Sequence, residues 1–146
     1  MIVHLLAACV WVGGSIALIV AGVPAIRILE GEPRSRAMRE IGRRWRLLGY
    51  SALAVLAVTG IPLAVHDYDG GRSPFQTVFW VKVGLSAGLV TFSYVHNFVL
   101  GPRLQAEVRE GRPQTTRPQL VVVGWISLAL TLAVPILGAI LAELAP

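Results

Sequence analysis

Residues 27–46 read RILEGEPRSRAMREIGRRWR and separate two long apolar stretches. Seven of the 13 Lys and Arg residues lie in this segment, and four more lie within residues 103–117. The rest of the chain is mostly apolar and falls into four blocks, at about residues 2–26, 47–66, 75–101 and 119–142. Each block has the roughly 20 residues with which an α-helix crosses a hydrocarbon core. The sequence therefore predicts an all-α membrane protein whose four transmembrane helices form an up-and-down bundle.

The distribution of charge also predicts the topology. Basic residues of short loops stay on the cytoplasmic side of a membrane, so both arginine-rich segments are expected to face the cytoplasm. The loop that carries Asp67, Asp69 and Arg72 then faces outwards. Both termini are predicted on the outer, periplasmic side of a bacterial inner membrane. The first block is expected to be a retained span, because its apolar stretch is long and its arginines follow it.

Composition supports the membrane assignment and excludes several other classes. A chain of 146 residues that is 55% hydrophobic and 14% charged has too much apolar surface for a soluble fold. The net charge of +5 is explained by topology and by contact with anionic lipid, and the basic loops show no nucleic-acid recognition module. The single cysteine, Cys9, excludes an intrachain disulfide and any cysteine-based metal cluster. A single domain, residues 1–146, is predicted, and no sequence repeat is evident.

Two proline-containing motifs predict where helices begin and end. Glu32-Pro33-Arg34-Ser35 favours the start of a short amphipathic helix along the membrane surface. Gly101-Pro102 is expected to end the third span.

Polar and small residues recur at helical spacing within the spans, where lipid makes an exposed polar group costly. In each span these residues lie on one stripe along the helix. Helices that pack closely in lipid do so through faces of small and polar residues. The stripes consist of His4, Trp11, Ser15 and Gly22 in the first span, Ala52, Thr59 and His66 in the second, Lys82, Ser86, Ser93 and His96 in the third, and Gly124, Ser127, Thr131, Pro135 and Gly138 in the fourth. The bundle is therefore predicted to have a partly polar interior.

The ionisable residues of the spans divide into two groups by depth. His4, His66 and Lys82 are all predicted in the outer part of the membrane, with Asp67 and Asp69 just above them. His96 is about 21 Å deeper by helix rise and lies near Arg103, so these two residues are a possible exit at the inner face. Each of these residues also has a simpler interpretation as an interfacial or helix-end side chain, but three ionisable groups at one depth favour a shared outer site.

Scattered motif residues resemble the copper-resistance D (copper export) domain. They are His4-Leu5-Leu6-Ala7-Ala8, Trp11-Val12-Gly13-Gly14 and Pro24 in the first span, with Thr59-Gly60 and Trp80-Val81-Lys82-Val83 further on. A weaker likeness is to HemJ-type protoporphyrinogen oxidases, which share the histidine, the tryptophan–glycine pair and the lysine. The aromatic–proline–arginine segment of those enzymes is missing here.

The first resemblance implies copper uptake, export or tolerance, with a periplasmic copper-binding protein as partner. His4, His66, Asp67 and Asp69 are the expected metal ligands, and a histidine–carboxylate set suits Cu(II). The resemblance favours transport or metal handling over enzymatic activity.

A redox protein with haem b remains open as the alternative, because facing histidines of helix bundles hold this cofactor. His4 would then be an axial ligand, Lys82 a second ligand or a propionate partner, and Trp11 a wall of the haem site. As an enzyme, the chain would be a haem-dependent oxidoreductase. A small structural subunit, or one protomer of a homo-oligomer, is the least specific interpretation.

Overall fold

A computed structural model describes residues 1–66 and 74–144, without the side chains of residues 63–66, 74 and 144. The described part of the chain is helical and contains no strand. Four helical stretches are long and apolar enough to cross a membrane: Ile2–Arg27, Gly31–Pro62, Phe75–Arg109 and Arg117–Glu143. The prediction of an all-α chain with four membrane spans is therefore confirmed, and the sidedness of the termini stays a prediction. Contacts divide the chain into two compact units, Met1–Tyr68 and Asp69–Pro146.

The first unit is an antiparallel helical hairpin. Its first arm consists of α1 (Ile2–Ala17), a π-helical segment (Leu18–Gly22) and α2 (Val23–Arg27). Its second arm is α3 (Gly31–His66). His4 lies against Gly60 at one end of the pair, and Gly22 lies against Ile41 towards the other. Gly31, with φ +58°, reverses the chain between the arms, a conformation that glycine adopts without strain.

The basic segment is part of the second arm. A helix does begin beside Glu32, as predicted, but it continues for 36 residues without interruption. The expectation of a separate short surface helix is therefore wrong. Arginine, glutamate, alanine and methionine all favour the helical state, so helix propensity continues where the apolar pattern stops.

The second unit is also an antiparallel hairpin. Its first arm consists of α4 (Pro74–Tyr94), a π-helical segment (Val95–Leu100) and α5 (Gly101–Arg109), and its second arm is α6 (Arg117–Leu144). Lys82 lies against Gly138, and His96 lies against Gly124. The third span was predicted to end at Gly101-Pro102, but the helix itself continues through these residues to Arg109. Pro102 stands in the first turn of α5, where a missing N–H costs little, and the π-helical segment leads directly into it.

The two hairpins are built in the same way. Lys82 follows His4 by 78 positions, and the glycines that receive these side chains, Gly60 and Gly138, differ by the same 78 positions. Pro102 follows Pro24 at this interval too, and each of the two prolines is the second residue after the π-helical segment of its arm. The chain therefore contains a structural repeat that is not evident in the sequence, because most equivalent positions hold different residues.

Candidate functional site

His4 forms a hydrogen bond between the two arms of the first unit. Its Nδ1 lies 2.8 Å from the hydroxyl oxygen of Thr59, which α3 presents from the facing helix. The Thr59 hydroxyl in turn donates to the carbonyl oxygen of Val55, at 2.6 Å. A threonine hydroxyl has one proton, and that proton is used in the bond to Val55. The oxygen of Thr59 therefore accepts, and Nδ1 of His4 donates.

This chain of hydrogen bonds selects a tautomer. In a neutral imidazole one ring nitrogen carries the proton and the other carries a lone pair. Because Nδ1 of His4 is the donor, the lone pair of the neutral ring lies on Nε2. A neutral imidazole with its lone pair on Nε2 can bind a metal ion through that nitrogen.

Gly60 fixes the position of the same ring. A Cβ at this position would lie 3.3 Å from Cε1 of His4, closer than most such contacts. The absence of a side chain lets the imidazole lie directly on the α3 backbone, one residue beyond Thr59. The Thr59 hydroxyl and Gly60 together hold the imidazole of His4 against α3. The predicted stripe of the second span that includes Thr59 therefore faces the first span.

Trp11 belongs to an aromatic cluster, formed with Trp45 and Tyr50. The indole rings of Trp11 and Trp45 stack with centroids 5.7 Å apart, and Tyr50 packs edge-on at 6.5 Å. Trp11 is 4% exposed, so its ring is covered by protein. Packing is its role in the described structure, and its contact with a haem stays a prediction.

The remaining predicted metal ligands fall at the edge of the described structure or beyond it. His66 is the last residue of α3, and its side chain is outside the described part. Asp67 and Asp69 lie outside the described residues. Among the side chains that the structure describes, no three of His, Cys, Asp or Glu gather as a metal site. Cys9 is exposed on α1.

The ionisable residues of the second unit lie against α6. A Cβ at Gly138 would be 3.2 Å from Nζ of Lys82, and one at Gly124 would be 3.2 Å from Nε2 of His96. Both side chains are half-buried. Arg103, the other residue of the predicted exit, lies on α5 and is exposed. The predicted stripes of α4 and α6 therefore face each other, and the sharing of one site by Lys82 and His4 stays a prediction.

Sequence analysis missed a buried carboxylate. Glu107 is 6% exposed and accepts bonds from the Thr115 hydroxyl at 2.9 Å, the Thr116 hydroxyl at 2.7 Å and the Thr116 N–H at 3.2 Å. These bonds close the loop between α5 and α6. The available signal was a glutamate at the polar end of a helix, followed by two adjacent threonines across a turn.

The arginine-rich part of α3 is a solvated charged surface. Glu40 pairs with Arg43 at 2.9 Å and with Arg44 at 2.7 Å, and Glu32 pairs with Arg39 at 3.1 Å. The arginines are more than half exposed and Glu40 is 43% exposed, so water screens each pair and each adds little stability. Arginines outnumber glutamates here, and contact with anionic lipid stays a prediction.

Comparison with protein-family models, with characterised proteins and with solved structures gives no match.

Proposed function

We propose that this chain is a multi-pass protein of the bacterial inner membrane that handles copper in the manner of copper-resistance D proteins. It accepts the ion at the periplasmic face and holds it at a site in which His4 is the first ligand. The observation that carries this proposal is the hydrogen bond from Nδ1 of His4 to Thr59.

That bond supports a ligand role because it matches what metal-binding histidines require. Such histidines donate their second ring N–H to an oxygen acceptor, which fixes the ring and the tautomer. His4 does so, and Gly60 adds a steric constraint on the ring. A histidine that only anchors a helix at the interface needs neither constraint.

The other ligands in this proposal come from the last residue of α3 and from the chain that follows it. His66, Asp67 and Asp69 supply one imidazole and two carboxylates, which with His4 form a nitrogen–oxygen set. Such a set binds Cu(II) in preference to Cu(I), which favours sulfur ligands. A periplasmic copper-binding protein is the proposed donor of the ion.

The test is Cu(II) binding by the purified protein, followed by isothermal titration and by metal analysis after gel filtration. His4→Ala is expected to abolish binding at the site. Thr59→Val keeps the size of the side chain but removes the acceptor, and a lost outer partner of a ligand typically weakens affinity about 10- to 100-fold. Thr91→Val is the matched control, because the exposed Thr91 hydroxyl also bonds to the carbonyl four residues earlier, that of Ala87.

Binding that survives in His4→Ala, or equal affinities for Thr59→Val and Thr91→Val, would refute the assignment of His4. Circular dichroism of each variant distinguishes loss of a ligand from loss of fold.

Haem b is the second candidate, and the same observation favours it, since an axial histidine also needs a lone pair on Nε2 and an oriented ring. His4 would hold the iron, and haem would supply electron transfer. A reduced-minus-oxidised spectrum with near-stoichiometric haem that is lost in His4→Ala would replace copper handling by this function. A protein that takes up neither copper nor haem would leave a structural subunit as the conclusion.

A further inference from the structure

Polar residues recur on the face of the third span, formed by α4 and the π-helical segment after it, that packs on α6. The buried Leu89, 5% exposed, lies among them on the same stripe. Lys82 and His96 both touch glycines of α6, and they are 14 residues apart, or about 21 Å by helix rise. Ser86 and Ser93 fall between them, and the successive intervals of four, seven and three residues place all four on one stripe. Ser93 is only 2% exposed.

The facing stripe of α6 continues this polarity. Gly124 and Gly138 receive His96 and Lys82, and Ser127 and Thr131 lie between the two glycines at the same helical spacing. Thr131 is 2% exposed. The polar seam of the second unit is defined by six side chains: Lys82, Ser86, Ser93, His96, Ser127 and Thr131.

Neighbouring polar groups of the seam lie a short distance apart along the helix axis. The contacts of Lys82 with Gly138 and of His96 with Gly124 set the level of each helix against the other. At that level Ser93 lies opposite Ser127, and Thr131 lies between the heights of Ser86 and Ser93. Successive groups are then separated by about 4 to 6 Å along the axis. Two hydrogen bonds through one water molecule cover about that distance.

Ser127 gives independent support for water in the seam. Its hydroxyl oxygen is buried and has no hydrogen-bond partner among the described residues. Buried hydroxyl groups are almost always bonded, and the usual partner where protein supplies none is an ordered water. The hydroxyl therefore marks a place where the seam holds water.

We propose that the polar seam of the second unit is a proton-transfer path between His96 and Lys82. Ionisable residues within membrane spans commonly serve as proton relays, and hydroxyl groups and waters both donate and accept. This function goes beyond metal handling and does not depend on it.

Each step of the path is a proton exchange without net chemistry. A proton bound at one ring nitrogen of His96 releases the proton on the other nitrogen to a neighbouring water or hydroxyl. Each hydroxyl or water then gives up one proton as it accepts the next, so one O–H bond breaks for each one formed. The Lys82 amine accepts the last proton and releases one at its end of the unit. A membrane potential or a pH gradient drives the direction.

The equivalent face of the first unit does not offer such a path. The stacked rings of Trp11 and Trp45 fill the middle of that hairpin, and among its described residues they interrupt any row of hydroxyls. The proposal is therefore specific to the second unit.

The test is proton flux into liposomes that contain the whole protein and a trapped pH-sensitive dye, with a potassium diffusion potential as driving force. The wild-type protein is expected to carry protons above the rate of protein-free liposomes. Thr131→Val and Ser127→Ala each remove one hydroxyl of the path at nearly constant side-chain volume. Each is expected to lower the proton flux about tenfold, because the distance between the neighbouring groups of the path increases. Lys82→Met and His96→Phe remove the ends and are expected to reduce the flux to background.

Matched controls are Thr91→Val on α4 and Ser51→Ala on α3, which change exposed hydroxyls in the same way. Both are expected to keep the wild-type flux. A wild-type flux equal to that of empty liposomes overturns the proposal. So does an unchanged flux in the Thr131→Val and Ser127→Ala variants, each with wild-type gel filtration and circular dichroism.

Discussion

The two hairpins use the same backbone plan to hold different side chains. In the first, Gly14 and Gly49 leave room for the rings of Trp45 and Trp11, and the space between the helices is filled by aromatic packing. In the second, Gly124 and Gly138 leave room for His96 and Lys82. A glycine opposite a long side chain is thus a common device of both units, and the side chain that it receives determines the chemistry.

The difference has a physical basis in lipid. Apolar residues gain little by leaving a bilayer, so helices associate through close packing and hydrogen bonds. The first hairpin relies on close packing of large rings and on the hydrogen bond between His4 and Thr59 near its end. The second brings small and hydroxyl-bearing residues together around the smaller buried side chain of Leu89. The first is therefore suited to holding one group rigidly, and the second to holding water.

The largest expected effect on stability follows from removing the Trp11 ring at the centre of the first hairpin. Trp11→Ala removes a side chain that is 4% exposed and stacked on Trp45, and we expect it to lower the free energy of unfolding by about 3 to 5 kcal/mol. Leu89→Ala, at the equivalent position of the second hairpin, removes fewer contacts and should cost less. Unfolding in mixed detergent micelles, followed by circular dichroism, measures both. An equal or larger loss for Leu89→Ala contradicts the comparison.

A smaller effect is expected where a glycine receives a ring. A Cβ at Gly14 would overlap the indole of Trp45, which is itself held by Trp11, so Gly14→Ala should destabilise by about 1 to 3 kcal/mol. Gly13→Ala is the control in the same helix, because nothing lies within 4 Å of its Cβ position. That change should stabilise the helix by about 0.5 to 1 kcal/mol. Shifts of the same sign in the two thermal unfolding curves would show that the ring is free to move aside.

The smallest expected effect is local and concerns the loop of the second hairpin. Glu107→Gln replaces a carboxylate that accepts three hydrogen bonds with a neutral amide that accepts fewer. The loop between α5 and α6 should open more often, so limited proteolysis there should be faster, while global unfolding changes little. Glu110→Gln, which alters an exposed carboxylate paired with Arg112, should leave the cleavage rate unchanged. Equal rates for the two variants would mean that Glu107 does not hold the loop.

The sequence predicts the spans and the faces of the helices well, for a clear physical reason. Apolar length and helical spacing are local properties, and lipid penalises any exposed polar group. The stripe that holds His4 therefore faces the one that holds Thr59, and Lys82 faces the stripe of Gly138. Which residue of one stripe meets which residue of the other depends on how far the helices slide along each other. Periodicity does not contain that information, so the bond from His4 to Thr59 was not predicted.

The helix ends were predicted less well. A separate surface helix was expected in the basic segment, but the residues there favour helix formation and continue without a break through α3. The third span was expected to end at Gly101-Pro102, yet the helix continues, because Pro102 stands in the first turn after a π-helical segment, where a missing N–H costs little. In both cases the expected helix end was inferred from a few residues alone. The conformation of the adjoining turn decides whether the helix continues there. Glu107 was missed because its partners come after the intervening loop.

The π-helical segments also bear on how this chain tolerates insertions and deletions. A π-helical turn holds more residues than an α-helical one, so removing one residue from Leu18–Gly22 restores an α-helical turn. The residues beyond the deletion then keep nearly the same direction around the helix axis, because the α-helical turn covers about the same rotation with one residue fewer. Ile26, now 9% exposed, would keep its buried position, whereas a deletion within α1 would turn it away by about 100°. A π-helical segment ends two residues before Pro24 and two residues before Pro102, so both hairpins carry this tolerance at equivalent places.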